Sequence, residues 1–191
     1  MNLPNAITLF RILLIPVFMT FLLGAIPYGA AFAVGTFVLA AASDSLDGYF
    51  ARRRREVTTL GAFLDPLADK LLVSAALLAL VQLGKLSAWV AMVIIAREFA
   101  VSGLRMVAAA ENVVISASPW GKVKTAAQMV AIVALIIEPG WSVWGVRLSA
   151  VVVGLAVLLT LGSGIDYFVR ARDSLRMPAT EREDGGEAGG S

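Results

Sequence analysis

The sequence predicts an all-α bundle of six membrane-spanning helices, on three observations. Hydrophobic residues make up 59% of the 191 residues and charged residues only 16%, against about 45–50% and about 25% in soluble domains. Mean hydropathy is +0.82. The apolar residues fall into six runs, most of them near the roughly 20 residues that a bilayer requires of a helix. The runs cover residues 6–25, 29–50, 60–82, 87–109, 123–138 and 144–168.

Each run has a recognisable boundary. A short interfacial helix at Leu3-Pro4-Asn5 is expected to precede the first run, bent away by Pro16. Ile26-Pro27-Tyr28 reads as a tight turn, and Arg52 to Thr58 as a charged loop. Gly84-Lys85 separates the third run from the fourth. Ser116 to Gly121, with Pro119 and Gly121, precedes the fifth, and Glu138-Pro139-Gly140 ends it. The separators leave no room for a soluble domain, so residues 1–177 form one membrane domain. The Gly- and Glu-rich stretch 178–191 has no apolar pattern and is expected to be disordered.

The basic residues set orientation. Arg52 to Arg55, Lys122, Lys124, Arg170, Arg172, Arg176 and Arg182 fall on one side of this arrangement, against Lys85 and Arg147 on the other. By the positive-inside rule both termini are cytoplasmic. The net charge of +2, scattered among apolar runs, does not suggest a nucleic-acid binder. The chain has neither Cys nor His. Disulfides, thiolate nucleophiles, imidazole bases and Cys/His zinc sites are therefore excluded. A base acting near neutral pH must be a carboxylate, a perturbed Lys or Tyr, or water.

Four carboxylates stand in or beside the second and third runs. Asp44 and Asp47 are at i,i+3 and share one helical face; Asp65 and Asp69 are at i,i+4 and share another. Each Asp costs about 2.5–3.5 kcal/mol at the centre of a membrane helix. Both pairs flank the same short loop, so they meet near the cytoplasmic end of two antiparallel helices. Converging carboxylates repel, and bound cations relieve the repulsion. Oxygen ligands without His or Cys select Mg²⁺, Mn²⁺ or Ca²⁺. Four carboxylates can hold two ions about 3.5–4 Å apart, an arrangement suited to phosphoryl chemistry. Gly48 and Ala51 continue the first face and Gly61 the second, and small residues admit a close ligand. Arg52 lies one or two turns further toward the cytoplasm, placed to hold a phosphate. The competing reading is an inward-facing Asp–Arg network that only fixes helix packing.

The run Asp44-x2-Asp47-Gly48-x2-Ala51-Arg52-x8-Gly61-x3-Asp65-x3-Asp69 resembles, at every position, the signature of the CDP-alcohol phosphotransferase family. The resemblance implies a six-helix membrane fold, often dimeric. It implies transfer of a phosphatidyl or related group from a CDP-linked donor to an alcohol, with release of CMP. Carried onto these positions, it implies Asp44, Asp47 and Asp65 as ligands of Mg²⁺ or Mn²⁺. Asp69 would be the proton acceptor and touch a metal too. Gly48, Arg52 and Thr58 would contact the CDP of the donor, beside Ala51 and Gly61. Asn2 to Arg11, Arg97 to Arg105 and Gly121 to Thr125 look like the corresponding stretches of bacterial phosphatidylglycerophosphate synthases. They imply CDP-diacylglycerol as donor, glycerol 3-phosphate as acceptor and the bacterial inner membrane as location.

Arg105, Lys122 and Lys124 then read as a cationic cup for the acceptor phosphate, against the plainer reading as topology signals. Asn5, Thr8 and Arg11 would contact the donor head group, or else cap and snorkel. Glu98, Ser102 and Arg105 form one polar stripe, expected to make a Glu98–Arg105 or a helix–helix network. Arg97 points elsewhere, toward a carboxylate partner, and Lys70 is expected to pair with a neighbouring carboxylate. Asp166 and Arg170 have the spacing of an ordinary i,i+4 pair. Trp120, Trp141, Trp144 and Tyr167 read as an interfacial aromatic belt. Two rivals remain: another synthase of the family, making phosphatidylinositol phosphate, phosphatidylserine or cardiolipin, or a cation transporter using the Asp cluster as an ion site. A transporter site more often lies at the bilayer midplane between inverted repeats, and no inverted repeat is visible.

Overall fold

The computed structural model describes the backbone of residues 3–54, 59–110, 119–137, 142–143 and 146–176, and the side chains of 6–43, 67–108, 123–137 and 150–169. Six helices are described: α1 (Leu3–Leu23), α2 (Gly29–Arg54), α3 (Thr59–Gln82), α4 (Ala88–Ala110), α5 (Pro119–Ile137) and α6 (Leu148–Arg176). Between α5 and α6 lies a minimal antiparallel hairpin, β1 (Ser142–Val143) and β2 (Val146–Arg147), pairing Val143 with Val146. The all-helical expectation thus holds but for four hairpin residues.

Several boundaries differ from the sequence reading. No separate interfacial helix precedes the first span: α1 runs unbroken from Leu3 with Pro16 inside it. The Thr20 hydroxyl donates to the Pro16 carbonyl at 2.8 Å. Arg52 to Arg54 continue α2 rather than forming a loop. Helix α5 begins at Pro119, whose fixed φ suits a first helical position, so Trp120 to Lys122 are helical too. Helix α6 starts later than expected because of the hairpin, and continues to Arg176. The expected disorder of 178–191 falls outside the described residues.

The α3–α4 connection shows why Gly84 stops a helix. Its φ is +70°, a conformation that costs a residue with a Cβ roughly 1–2 kcal/mol. Gly84 N–H donates to Val81 O at 3.0 Å and Lys85 N–H to Leu80 O at 2.9 Å, the paired bonds of a Schellman cap. The turn aims Lys85 at the far end of α5. Its ammonium donates to the carbonyls of Leu135 and Ile136 at 3.0 and 3.1 Å, satisfying groups that a helix C-terminus leaves open.

The core runs along the facing sides of the helices. Phe18, Phe37, Leu72, Leu80, Ile132 and Ile136 are almost wholly buried, and the Phe18 and Phe37 rings lie 5.7 Å apart at 45°. Ala33, Ala40, Ala68, Ala76 and Ala79 are fully buried, the small contacts by which membrane helices approach closely. The outward surface is apolar as well, with Leu13, Leu78, Met92, Leu158 and Ile165 exposed. Contiguous exposure on that scale marks a surface that meets lipid or protein rather than water. Among the described residues two segments are long and apolar enough to cross a bilayer, Ala6–Leu23 and Ala150–Val169. Gly29–Ser43 and Val123–Ile137 are shorter apolar helices.

Gly84 and Gly35 should respond oppositely to a methyl group. Both have open space where a Cβ would stand, but only Gly84 has a positive φ. Gly84→Ala should cost about 1–2 kcal/mol. Gly35→Ala, within α2, should be neutral or stabilising by up to about 1 kcal/mol. Thermal unfolding of the two variants in detergent measures the contrast, and an equal Tm would remove the backbone argument.

Candidate functional site

A cavity of about 1000 Å³ opens between α2, α3, α4, α5 and α6, at the upper end of the range for ligand sites. Its deeper wall is apolar, with Phe37 and Val38 of α2 facing Val130 and Val133 of α5. Its other wall carries charge from successive helices. Asp69 and Lys70 come from the middle of α3, Arg97 and Glu98 from the middle of α4 with Arg105 two turns further on, and Lys124 from the first turns of α5. Ser163 and Tyr167 come from the second half of α6.

Glu98 organises this wall. One of its carboxylate oxygens, Oε1, accepts from the Lys124 ammonium and from Arg97 Nη1 at 3.3 Å. The other, Oε2, lies 3.7 Å from Lys70 Nζ. The four side chains are each at least four-fifths buried. Arg97 also reaches α6, where Nη2 donates to Ser163 Oγ at 2.8 Å. Ser163 in turn donates to Thr160 O at 3.1 Å. The Arg97 stem crosses Gly164 so closely that a Cβ there would stand 3.2 Å from Cγ and Nε. One carboxylate and its partners thereby tie α3, α4, α5 and α6 together.

The expected Glu98–Arg105 contact does not form; the helix–helix network does. Seven residues separate the two by about 10.5 Å along the helix axis, while cations from three directions stand nearer to Glu98. Arg105 instead lies over the Tyr167 ring, 5.6 Å from its centroid. Tyr167 is 5% exposed and so is a buried platform rather than an interfacial aromatic. The expectations for Lys70 and Arg97 as partners of a carboxylate hold, and for both the carboxylate is Glu98. Ser163, Gly164 and Tyr167 were not singled out as site residues. Their signal was a hydroxyl between glycines with a Tyr four residues on, sharing one helical face.

Of the residues expected at the site, Asp69, Arg105 and Lys124 line the same cavity. Asp44 and Asp47 lie on α2, and Asp65 with Asp69 on α3, in the i,i+3 and i,i+4 spacings expected. The side chains of Asp44, Asp47, Asp65, Gly48, Ala51, Arg52 and Gly61 fall outside the described ones, as do those of Asn5, Lys122 and Arg170. Thr58, Trp141 and Trp144 lie outside the described residues altogether, and Trp120 is described in backbone only. Thr8 and Arg11 are buried on α1 and do not line this cavity. Four cations and two carboxylates stand among the described lining side chains. The wall is thus electropositive and suited to an anion.

The sequence matches the CDP-alcohol phosphatidyltransferase family over residues 1–162. The chain belongs to this family. It is 43% identical to a CDP-diacylglycerol–glycerol-3-phosphate 3-phosphatidyltransferase of Bacillus subtilis, over 92% of this chain and 97% of the relative. It is 44% identical to an enzyme of the same name from Pseudomonas fluorescens, over 92% of this chain and 93% of that one. A probable phosphatidylglycerophosphate synthase of Mycobacterium tuberculosis is 42% identical over 89% of this chain and 81% of its own length. Family membership and the two long apolar helices make this a membrane protein.

The Arg97 anchorage on α6 can be tested by stability. Ser163→Ala removes a hydrogen bond to a charged group, a contact of about 1.5–3 kcal/mol. Gly164→Val drives a branched carbon into the Arg97 stem. Both variants should lower the Tm in detergent, and a Gly164→Val protein as stable as the wild type would show that Arg97 does not lie across α6.

Proposed function

We propose that the protein transfers the phosphatidyl group of CDP-diacylglycerol to glycerol 3-phosphate, giving phosphatidylglycerol phosphate and CMP in phospholipid biosynthesis. The observation that carries this reading is the electropositive cavity lined by Asp69, Arg105 and Lys124, in a chain whose relatives are named for that reaction. All six helices span the bilayer of the bacterial inner membrane, with both termini cytoplasmic. The apolar outward surface and the bias of basic residues support this placement. The chain acts as a homodimer, as the resemblance implies.

The acceptor's phosphate is held by Arg105, Lys122 and Lys124. Arg105 offers a planar fork of N–H donors, with its Cζ 5.6 Å from the centroid of the Tyr167 ring. Lys124 has three N–H donors; Glu98 takes one, and the others remain for the ligand. The acceptor hydroxyl attacks the phosphorus bonded to diacylglycerol. The new P–O bond forms as the phosphoanhydride bond to CMP breaks, and the hydroxyl proton passes to the Asp69 carboxylate. Asn5, Thr8, Gly48, Ala51, Arg52, Thr58 and Gly61 bind the donor. Asp44, Asp47, Asp65 and Asp69 fit hard divalent cations, being oxygen ligands on two adjacent helix segments in a chain without His or Cys. They would hold two Mg²⁺ or Mn²⁺ ions, which supply charge neutralisation at the diphosphate and the departing CMP.

An acceptor panel assayed by CMP release tests the reading. Glycerol 3-phosphate should support turnover, and glycerol, serine and inositol, which lack a phosphate, should be poor acceptors. Chelation of divalent cations should abolish turnover in every case. CMP release with serine or inositol as efficient as with glycerol 3-phosphate would assign the protein to another branch of the family.

Two sets of variants separate the roles. Asp44→Asn, Asp47→Asn and Asp65→Asn should each lose most activity at limiting Mg²⁺; near wild-type turnover in any of them would remove that residue from the ligand set. Arg105→Ala and Lys122→Ala each lose a charge-assisted contact of about 1.5–3 kcal/mol, or roughly ten- to a hundredfold. That loss should appear in the KM for glycerol 3-phosphate and leave the donor KM nearly unchanged. Equal effects on both substrates would place these cations at the donor or in general stability.

A further inference from the structure

We infer that Glu98 is a positioning residue for the acceptor, fixing the Lys124 ammonium on the cavity wall and holding Lys70 beside Asp69. The inference rests on the phosphatidyl-transfer reading above and adds to it a residue that touches neither substrate. Lysine is a flexible four-carbon stem ending in a strongly hydrated point charge, so alone it defines no position. Here Lys124 is 5% exposed and donates to Glu98 Oε1, which fixes where its remaining N–H groups can point.

Glu98 is itself fixed from two sides. Arg97 Nη1 holds Oε1 from the same helix while Nη2 is bonded to Ser163 on α6, and Lys70 approaches Oε2 from α3. Lys70 and Asp69 line the same cavity, so the carboxylate that sets the Lys124 ammonium also holds a second cation on the lining that carries the proton acceptor. The charge count explains why this arrangement suits a ligand. Three cations converge on one carboxylate, which leaves a positive excess that an incoming phosphate dianion completes.

The test is steady-state kinetics of the full chain in detergent micelles with CDP-diacylglycerol, glycerol 3-phosphate and Mg²⁺. Glu98→Gln keeps the shape and removes the charge. It should raise the KM for glycerol 3-phosphate about tenfold or more and leave the KM for CDP-diacylglycerol within about twofold, since a lost contact to a charged group has that size. Glu98→Asp restores the charge on a shorter stem and should recover part of the effect; should Glu98→Gln not fold, this variant carries the test, with a smaller rise in the same KM. If Glu98 acts through Lys124, the double variant Glu98→Gln/Lys124→Gln should bind the acceptor no worse than Lys124→Gln alone. Unchanged acceptor KM in Glu98→Gln, or additive losses in the double variant, would overturn the positioning role. So would a lowered Tm with an evenly reduced kcat and no KM split, the pattern of a purely structural residue. Failure of the wild type to use glycerol 3-phosphate would instead overturn the acceptor reading on which this one rests.

Discussion

The central constraint is the cost of charge inside an apolar bundle. Ionised groups are not left in hydrocarbon without partners, and this chain carries Lys70, Arg97, Glu98 and Lys124 on helices whose other surfaces are Leu, Val and Ala. The structure meets the constraint by convergence. Three helices present these groups to one another, a fourth joins through Ser163, and Glu98 stands among three cations. Close helix approach at buried alanines and the Gly164 clearance for Arg97 make the meeting possible.

From this constraint the division of labour follows. Two places in the bundle solve different problems. At the α3–α4 turn, Lys85 spends its charge on two helix-terminal carbonyls and closes the structure. In the cavity, four cations stand against two carboxylates among the described lining side chains. Tyr167 serves the same end by a different route, since its face supports Arg105 without neutralising it.

Much of this architecture was legible in the sequence, and the limits are instructive. Hydropathy located the six described helices, because each carries a contiguous apolar run whatever it packs against. Gly84 ended α3 where its φ demanded it. Boundaries set by capping or by hairpin formation were not visible: Pro119 opened α5 earlier and Ser142 to Arg147 delayed α6. The polar stripe of Glu98, Ser102 and Arg105 was visible as a stripe, but its partners were not. Periodicity shows which residues share a face and not which neighbouring helix that face meets. Hence the sequence offers Lys124 as a phosphate ligand or a topology signal, and its bond to Glu98 on another helix comes only with the fold. Tyr167 was misread for a related reason. An aromatic near a helix end suits an interface equally well, and only the position of Arg105 above its ring distinguishes a platform from a belt. Of the Asp motif, only the side chain of Asp69 is among the described ones, and it lines the cavity.

The claim at the centre of this account is that the cationic cavity delivers a phosphorylated alcohol to the donor's phosphorus. The most direct measurement is to incubate the protein in CDP-diacylglycerol liposomes with Mg²⁺ and glycerol 3-phosphate labelled in its phosphate, and to follow the label. The account predicts that label enters a chloroform-soluble lipid in one-to-one proportion with CMP released. CMP release with the label remaining in water would contradict it, because the acceptor would then be water or another alcohol and the cavity's phosphate-binding role would be wrong.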